Sequence, residues 1–80
     1  NYPNPFNPVT TIRYGLPEAV HVRLEIFNTL GERIERLVDG LEPAGYKDIE
    51  YNASRLSSGL YFYKLQAGKL DETKKFLLLK

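Results

Sequence analysis

Residues 58–68 read SGLYFYKLQAG, and this stretch decides the fold. Its middle, residues 60–65, holds three aromatic rings, two leucines and one lysine. In an extended strand these side chains alternate between two faces, one formed by Tyr61, Tyr63 and Leu65 and the other by Leu60, Phe62 and Lys64. A short helix is the competing interpretation, but the bounding glycines and the rings favour a strand. Two apolar faces predict a strand that is packed or partly covered on both sides, and therefore a central strand rather than an edge strand.

The rest of the chain shows the same alternation in shorter pieces. Strands are predicted at residues 10–16, 19–28, 33–38, 46–52 and 70–80, with tight turns at residues 28–32 and 67–69. Asp39-Gly40 is expected to end the third strand, whose pattern also suits one helical turn. The inward positions are Ile12, Tyr14 and Leu16, then Val20, Val22, Leu24 and Ile26, with His21, Arg23, Glu25 and Phe27 facing out. About six or seven short strands and no long amphipathic helix predict an all-β antiparallel sandwich.

Length and composition argue against several classes of protein. Eighty residues make one small domain, which buries only roughly 60–65% of its unfolded surface. The chain has no cysteine, so neither a disulfide nor thiol chemistry is available. A net charge of +1 argues against a nucleic-acid partner. No apolar run approaches the about 18–20 residues of a membrane span.

The first eight residues, NYPNPFNP, contain three of the five prolines. Proline favours extended backbone, so we predict a stiff linker at residues 1–8 and the domain at residues 9–80. Linkers rarely contain aromatic residues, and at least one of Tyr2 and Phe6 is expected to pack on the domain. The stretch has no signal-peptide pattern, and without an initiating methionine the chain is expected to be a fragment of a longer parent.

The search for catalytic or ligand-binding chemistry predicts none. His21 has no carboxylate or thiol near it at ligand spacing and is expected to be solvated. Asp39, Asp48 and Asp71 are scattered, and Ser54, Ser57 and Ser58 have no partnered base. We therefore expect no enzyme activity, no catalytic residues, no metal site and no cofactor.

Two features stand out from an ordinary core pattern. The last residues, KKFLLLK, place Phe76 and Leu78 on one strand face and Leu77 and Leu79 on the other. The favoured interpretation is a central strand covered on both sides. The alternative is an exposed apolar strip or strand edge, flanked by Lys74, Lys75 and Lys80, that a partner binds. The lysines could also protect the free domain from edge-to-edge aggregation. The second feature is a set of seven aromatic residues, for which core packing is favoured over a sugar-stacking face: Tyr14, Phe27, Tyr46, Tyr51, Tyr61, Phe62 and Tyr63.

Several of these segments, in this order, carry a resemblance to a known family. They are the opening YPNPFNP, the TIRY and LP of residues 11–17, Phe27-Asn28, Leu30-Gly31, Ala44-Gly45, SGLYFYKL at residues 58–65 and KKFLLLK at residues 74–80. Together they resemble the type A C-terminal sorting domain of type IX secretion in Bacteroidetes. They are also similar to the immunoglobulin-like domain of the flagellar hook-capping protein.

The resemblance implies an Ig-like β-sandwich of about seven strands that directs a larger exported protein to the cell surface or the medium. Its implied partners are the outer-membrane secretion machinery, an N-terminal cargo and a sortase-like peptidase. The family motif falls on five core positions, Ser58, Gly59, Tyr61, Tyr63 and Leu65. Recognition by the machinery is assigned as a hypothesis to the C-terminal residues Lys74, Lys75, Phe76, Leu77, Leu78, Leu79 and Lys80.

One departure from the family is visible, because Tyr51-Asn52 stands where many members have Trp followed by Asp or Asn; the ring is expected to keep the core role. An exposed final strand could also exchange between two protomers to form a homodimer. Two other functions stay open from the sequence, a carbohydrate-binding module of a secreted enzyme and a passive Ig-like spacer.

Overall fold

The computed structural model describes residues 9–79, and they form six β-strands joined by turns and loops. The strands are β1 (Val9–Leu16), β2 (Val20–Phe27), β3 (Arg33–Glu42), β4 (Gly45–Asn52), β5 (Gly59–Ala67) and β6 (Leu70–Leu78). No helix in these residues is long and apolar enough to cross a membrane. The linker assigned to residues 1–8, with Tyr2 and Phe6, lies outside this part of the chain.

The strands form two antiparallel sheets. β1 pairs with β4, and the second sheet has the order β3-β2-β5-β6. The predicted all-β sandwich is confirmed, with six strands in residues 9–79 where about seven were expected. Its immunoglobulin-like character stays a prediction.

One core fills the space between the sheets, because alternate side chains of both point inward. Val22, Leu24 and Ile26 of β2 are completely buried, as their parity predicted. The other members of the buried cluster are Ile12, Tyr14, Leu16, Tyr51, Ala53, Tyr61, Leu65, Ala67 and Leu78.

Both predicted tight turns form, and each uses a glycine with positive φ. In the β2–β3 turn, Gly31 has φ 82°, and the Asn28 side-chain oxygen accepts hydrogen bonds from the backbone N–H groups of Leu30 and Glu32 at 2.9 and 3.0 Å. In the β5–β6 turn, Gly68 has φ 60°, as two-residue hairpins prefer at their first position.

The predicted end of the third strand is wrong. Asp39 and Gly40 lie inside β3 and pair with Arg23 and Val22 of β2, so the strand continues to Glu42. The Asp-Gly signal describes a local preference, which the ladder of hydrogen bonds to β2 overrides here. The β2–β3 ladder has two register shifts, between Leu24 and Glu25 and between Ile26 and Phe27, and the pairing of Asp39 to Glu42 with β2 is regular.

A substitution in the centre of β2 tests the core. Leu24→Ala is expected to destabilise the domain by about 2–5 kcal/mol, because it leaves a cavity between the sheets. Urea denaturation followed by circular dichroism measures the loss. Leu41→Ala, at a leucine that is 74% exposed on β3, is the matched control and should change stability by less than about 0.5 kcal/mol. Equal effects of the two substitutions would contradict the assigned core.

Candidate functional site

The predicted family motif lies on β5, which has β2 on one side and β6 on the other. Tyr61 and Leu65 are buried and Tyr63 is half-buried, so the predicted central strand is confirmed. The Tyr61 hydroxyl donates a hydrogen bond to the Ser57 carbonyl oxygen at 2.7 Å. This bond ties the loop that contains Ser58 to the strand that Gly59 begins.

β6, by contrast, is not central. In residues 9–79 it has β5 on one side and no strand on the other, so the favoured interpretation of a doubly covered strand is wrong. The apolar run at residues 76–79 suggested two covered faces, but the order of strands in the sheet is decided by pairing and not by composition. The alternative, an apolar strand at an open edge, is the one that the structure has.

The two faces of β6 have different surroundings. Leu78 is buried, and the Phe76 ring lies 5.8 Å from that of Tyr61 in a stacked arrangement and 6.5 Å from that of Tyr63. On the opposite face, Leu77 is 65% exposed and Leu79 is 71% exposed. The inner side chains therefore hold the strand in place, and the outer leucines are available to a partner.

Of the lysines predicted to be recognised, Lys74 and Lys75 do not form one patch. Lys74 pairs with Tyr63 and Lys75 with Phe62, so their side chains leave opposite faces of the sheet. Both are exposed. Lys80 lies outside the described residues.

Sequence reasoning missed an apolar row on the outer face of the larger sheet. Phe27 pairs with Phe62, and the next pair along β5 and β6 is Leu60 with Leu77. A shallow depression of about 280 Å³ lies beside the two phenylalanine rings. Strand parity placed Phe27 on the outer face, whereas the face of β5 that carries Leu60 and Phe62 was expected to be packed or partly covered. Only the register brings these residues side by side and continues the row to the exposed Leu77 of β6.

The tyrosines are mostly core residues. Tyr14, Tyr51 and Tyr61 are buried, while Tyr46 is 95% exposed on β4. Burial, together with the neighbouring Glu35 carboxylate, raises the pKa of Tyr51 to about 12. The expected core role of Tyr51 is confirmed by its burial. With three rings inside, the five tyrosines of residues 9–79 do not share one exposed face on which a sugar could stack.

Glu25 was predicted to face solvent, but it is 93% buried, with only 7% of its surface exposed. It does point to the outer face of the sheet, where Arg36 donates a hydrogen bond to its carboxylate at 2.9 Å and Arg33 donates one at 3.3 Å. Burial alone would raise the pKa of Glu25, but these two hydrogen bonds and charges outweigh it and hold the pKa below its ordinary value. The cluster joins β2 to β3.

His21 was expected to be solvated; it is exposed but has a partner. Its Nε2 lies 2.8 Å from the Asp39 carboxylate, which the strand pairing brings close although 18 positions separate the two residues. This hydrogen bond, assisted by Arg23 and Arg36 and opposed by partial burial, lowers the pKa of Asp39. Within residues 9–79, no three His, Cys, Asp or Glu side chains are grouped so as to hold a metal ion.

Comparison of the sequence with models of protein families shows to which family the chain belongs. A family model described as "Secretion system C-terminal sorting domain" matches residues 1–79. The chain belongs to this family. No curated protein and no solved structure matches it.

As a C-terminal sorting domain, the chain is the signal for type IX secretion. The signal directs export through the periplasm to the cell surface or the extracellular space. It implies interaction with the secretion machinery and an N-terminal cargo in the parent chain. Sorting-signal domains are typically non-catalytic.

The Tyr61 hydrogen bond can be tested with a matched pair of tyrosines. Tyr61→Phe is expected to cost about 1 kcal/mol of unfolding free energy, because it leaves the Ser57 carbonyl without its donor. Tyr14→Phe should cost less, since the buried Tyr14 hydroxyl has no hydrogen-bond partner among residues 9–79. Urea denaturation of both variants measures the difference. A larger loss for Tyr14→Phe would contradict the assigned role of Tyr61.

The Glu25 cluster predicts a loss of stability in acid. Because the folded pKa of Glu25 is lowered, its contribution is present above the ordinary carboxyl pKa of about 4.3 and is lost as the pH falls from there through the folded value. Glu25→Gln should therefore lower the melting temperature most at pH 7 and progressively less below about pH 4. Thermal scans at several pH values measure this difference.

Glu50→Gln is the control, since Glu50 is exposed and makes no ion pair within the described part of the chain. Its melting temperature should stay close to that of the parent chain at every pH. A constant difference between Glu25→Gln and the parent chain from pH 7 to pH 3 would argue against the ionised Glu25 cluster.

Proposed function

We propose that the secretion machinery recognises the C-terminal residues Lys74 to Lys80 by adding a strand to the open edge of β6. Such a strand would hydrogen-bond to the main-chain groups of β6 that point away from β5. It would contact the outer leucines, and acidic groups on it would face Lys74 or Lys75.

The observation that carries this proposal is the edge position of β6. A strand paired on one side only presents a row of free N–H and C=O groups, which is a template for a further strand. Main-chain pairing supplies affinity for many sequences, while alternate side chains supply selectivity. Both contributions are available on β6, whose edge is open among residues 9–79 and whose Leu77 is exposed.

The side chains on the two faces of β6 have different roles in the proposed recognition. Phe76 packs against Tyr61 and Leu78 is buried, so the strand is already ordered before a partner arrives. A preordered strand loses less conformational entropy on binding than a flexible tail does. Leu77 and Leu79 add apolar surface that the partner can cover.

Two further partners belong to the proposal and are supported by the family resemblance and by the position of the last strand. A sortase-like peptidase would remove the domain from its cargo after export. Exchange of β6 between two chains would give a homodimer, since each β5 could accept either copy of the strand.

The recognition site is tested with a reporter fused to the N-terminus of the chain in a host that has type IX secretion. Leu77→Ser with Leu79→Ser should reduce the amount of reporter at the cell surface by about tenfold, as expected when apolar contacts worth about 1–2 kcal/mol are lost. The mass of any reporter that reaches the surface shows whether the domain has been removed.

Leu30→Ser with Leu41→Ser is the matched control, because these two leucines are 81% and 74% exposed in the β2–β3 turn and on β3. It should be exported normally. Deletion of residues 74–80 is a weaker test, since it also removes the buried contacts of Phe76 and Leu78 and calls for a check of folding by circular dichroism. Normal export of the Leu77/Leu79 variant would place the recognition site elsewhere.

A further inference from the structure

Residues 70–76 of β6 carry a charge pattern that is complementary to itself. Residues 70–76 read LDETKKF, with two acidic residues, then Thr73, then two lysines. Asp71, Glu72, Lys74 and Lys75 are all exposed. Read in the opposite direction, the same stretch places a lysine wherever the original has an acidic residue.

These charges have no complement in their own sheet. Across the β5–β6 ladder, Asp71 faces Gln66, Glu72 faces Leu65, Lys74 faces Tyr63 and Lys75 faces Phe62. Within residues 9–79 none of the four takes part in an ion pair. Ion pairs within this part of the chain therefore do not explain the pattern.

We propose that two copies of this chain associate through the open edges of β6, antiparallel, with Thr73 opposite Thr73 on the two-fold axis. In this register Asp71 of each copy faces Lys75 of the other, and Glu72 faces Lys74. Two such sets are related by the axis, giving four pairs of opposite charge. Opposite charges directly across an antiparallel pair stabilise it, and like charges destabilise it.

The neighbouring registers are disfavoured by the same charges. Side chains that face each other across an antiparallel pair lie on the same side of the sheet. The core faces of the two copies therefore stay on one side only in registers whose two-fold axis passes through the same residue of both copies, as it does through Thr73. Centring on Glu72 or Lys74 places like charges opposite each other on the axis. Parallel pairing in register sets every charge against its own copy.

The apolar side chains agree with the Thr73 register. Leu70, which is 37% exposed, comes to lie opposite the half-buried Phe76 of the other copy, on the inner face of both sheets. Because Phe76 already stacks on Tyr61, the pairing extends each core to the edge of its neighbour. The two four-stranded sheets become one sheet of eight strands.

This self-association does not depend on the recognition role proposed above, but it has a consequence for it. The paired stretch covers the main-chain edge through residue 76, so a dimer cannot also accept a strand there. Self-pairing and binding of the secretion machinery would then compete for one edge.

The test uses the 80-residue chain and three charge variants in sedimentation velocity at low ionic strength, up to about 1 mM protein, where even weak pairing is populated. The unsubstituted 80-residue chain should show concentration-dependent dimers that weaken as salt screens the charge pairs. Asp71→Lys with Glu72→Lys, and separately Lys74→Glu with Lys75→Glu, should each raise the dimer dissociation constant by about tenfold or more, since all four pairs become repulsive.

Two restorations control for misfolding and for non-specific charge effects. An equimolar mixture of the two double variants should form heterodimers, because every pair regains opposite charges. The quadruple variant, which keeps the net charge of the parent, should dimerise as the parent chain does. Circular dichroism of each variant checks the fold.

A parent chain that stays monomeric over the whole concentration range would overturn the proposal, and so would double variants that dimerise as the parent does. The second outcome would favour strand exchange, which keeps each β6 paired with a β5 and is indifferent to these reversals. Leu77→Ser with Leu79→Ser lies outside the paired stretch and should dimerise normally, so loss of its export would concern recognition and not self-pairing.

Discussion

The stacking of Phe76 on Tyr61 connects the last strand to the rest of the domain. Among residues 9–79, β6 pairs with β5 alone, so within this part of the chain it is held by the hydrogen bonds of one ladder and by the side chains that it sends inward. Tyr61 is positioned in turn by its hydrogen bond to the Ser57 carbonyl and by its burial on the central strand. The order of β6, and with it every property of the exposed edge, depends on β5 being correctly placed.

An open edge is a liability in most small β-proteins, because it invites association with other chains. Here four charged residues lie between Asp71 and Lys75, and the exposed Leu77 and Leu79 follow them. Charges on an edge strand can act as gatekeepers against unspecific pairing, and in this strand their order also selects one register for pairing with itself. In the proposed recognition, the same backbone serves as a signal and is restrained in the free protein.

The outer face of the larger sheet is divided between two kinds of chemistry. Towards β3 it carries the network in which Arg33 and Arg36 cover the buried carboxylate of Glu25, and in which Asp39 bonds to His21. Towards β6 it carries the row formed by Phe27, Phe62, Leu60 and Leu77. The polar part joins two strands of the same domain, whereas the apolar part continues directly onto the surface of β6.

The sequence by itself determined the all-β class, both tight turns, the inward residues of β1 and β2 and the central place of β5. These follow from a side-chain period of two and from glycine-containing turns, which are local properties. The family, too, was recognisable from the order of its motifs. Only the tertiary structure decided that β6 lies at an edge, that β3 continues through Asp39-Gly40 and that Glu25 is buried beneath two arginines. Each of these depends on which strands become neighbours and in what register, and that is settled by contacts between residues far apart in the chain.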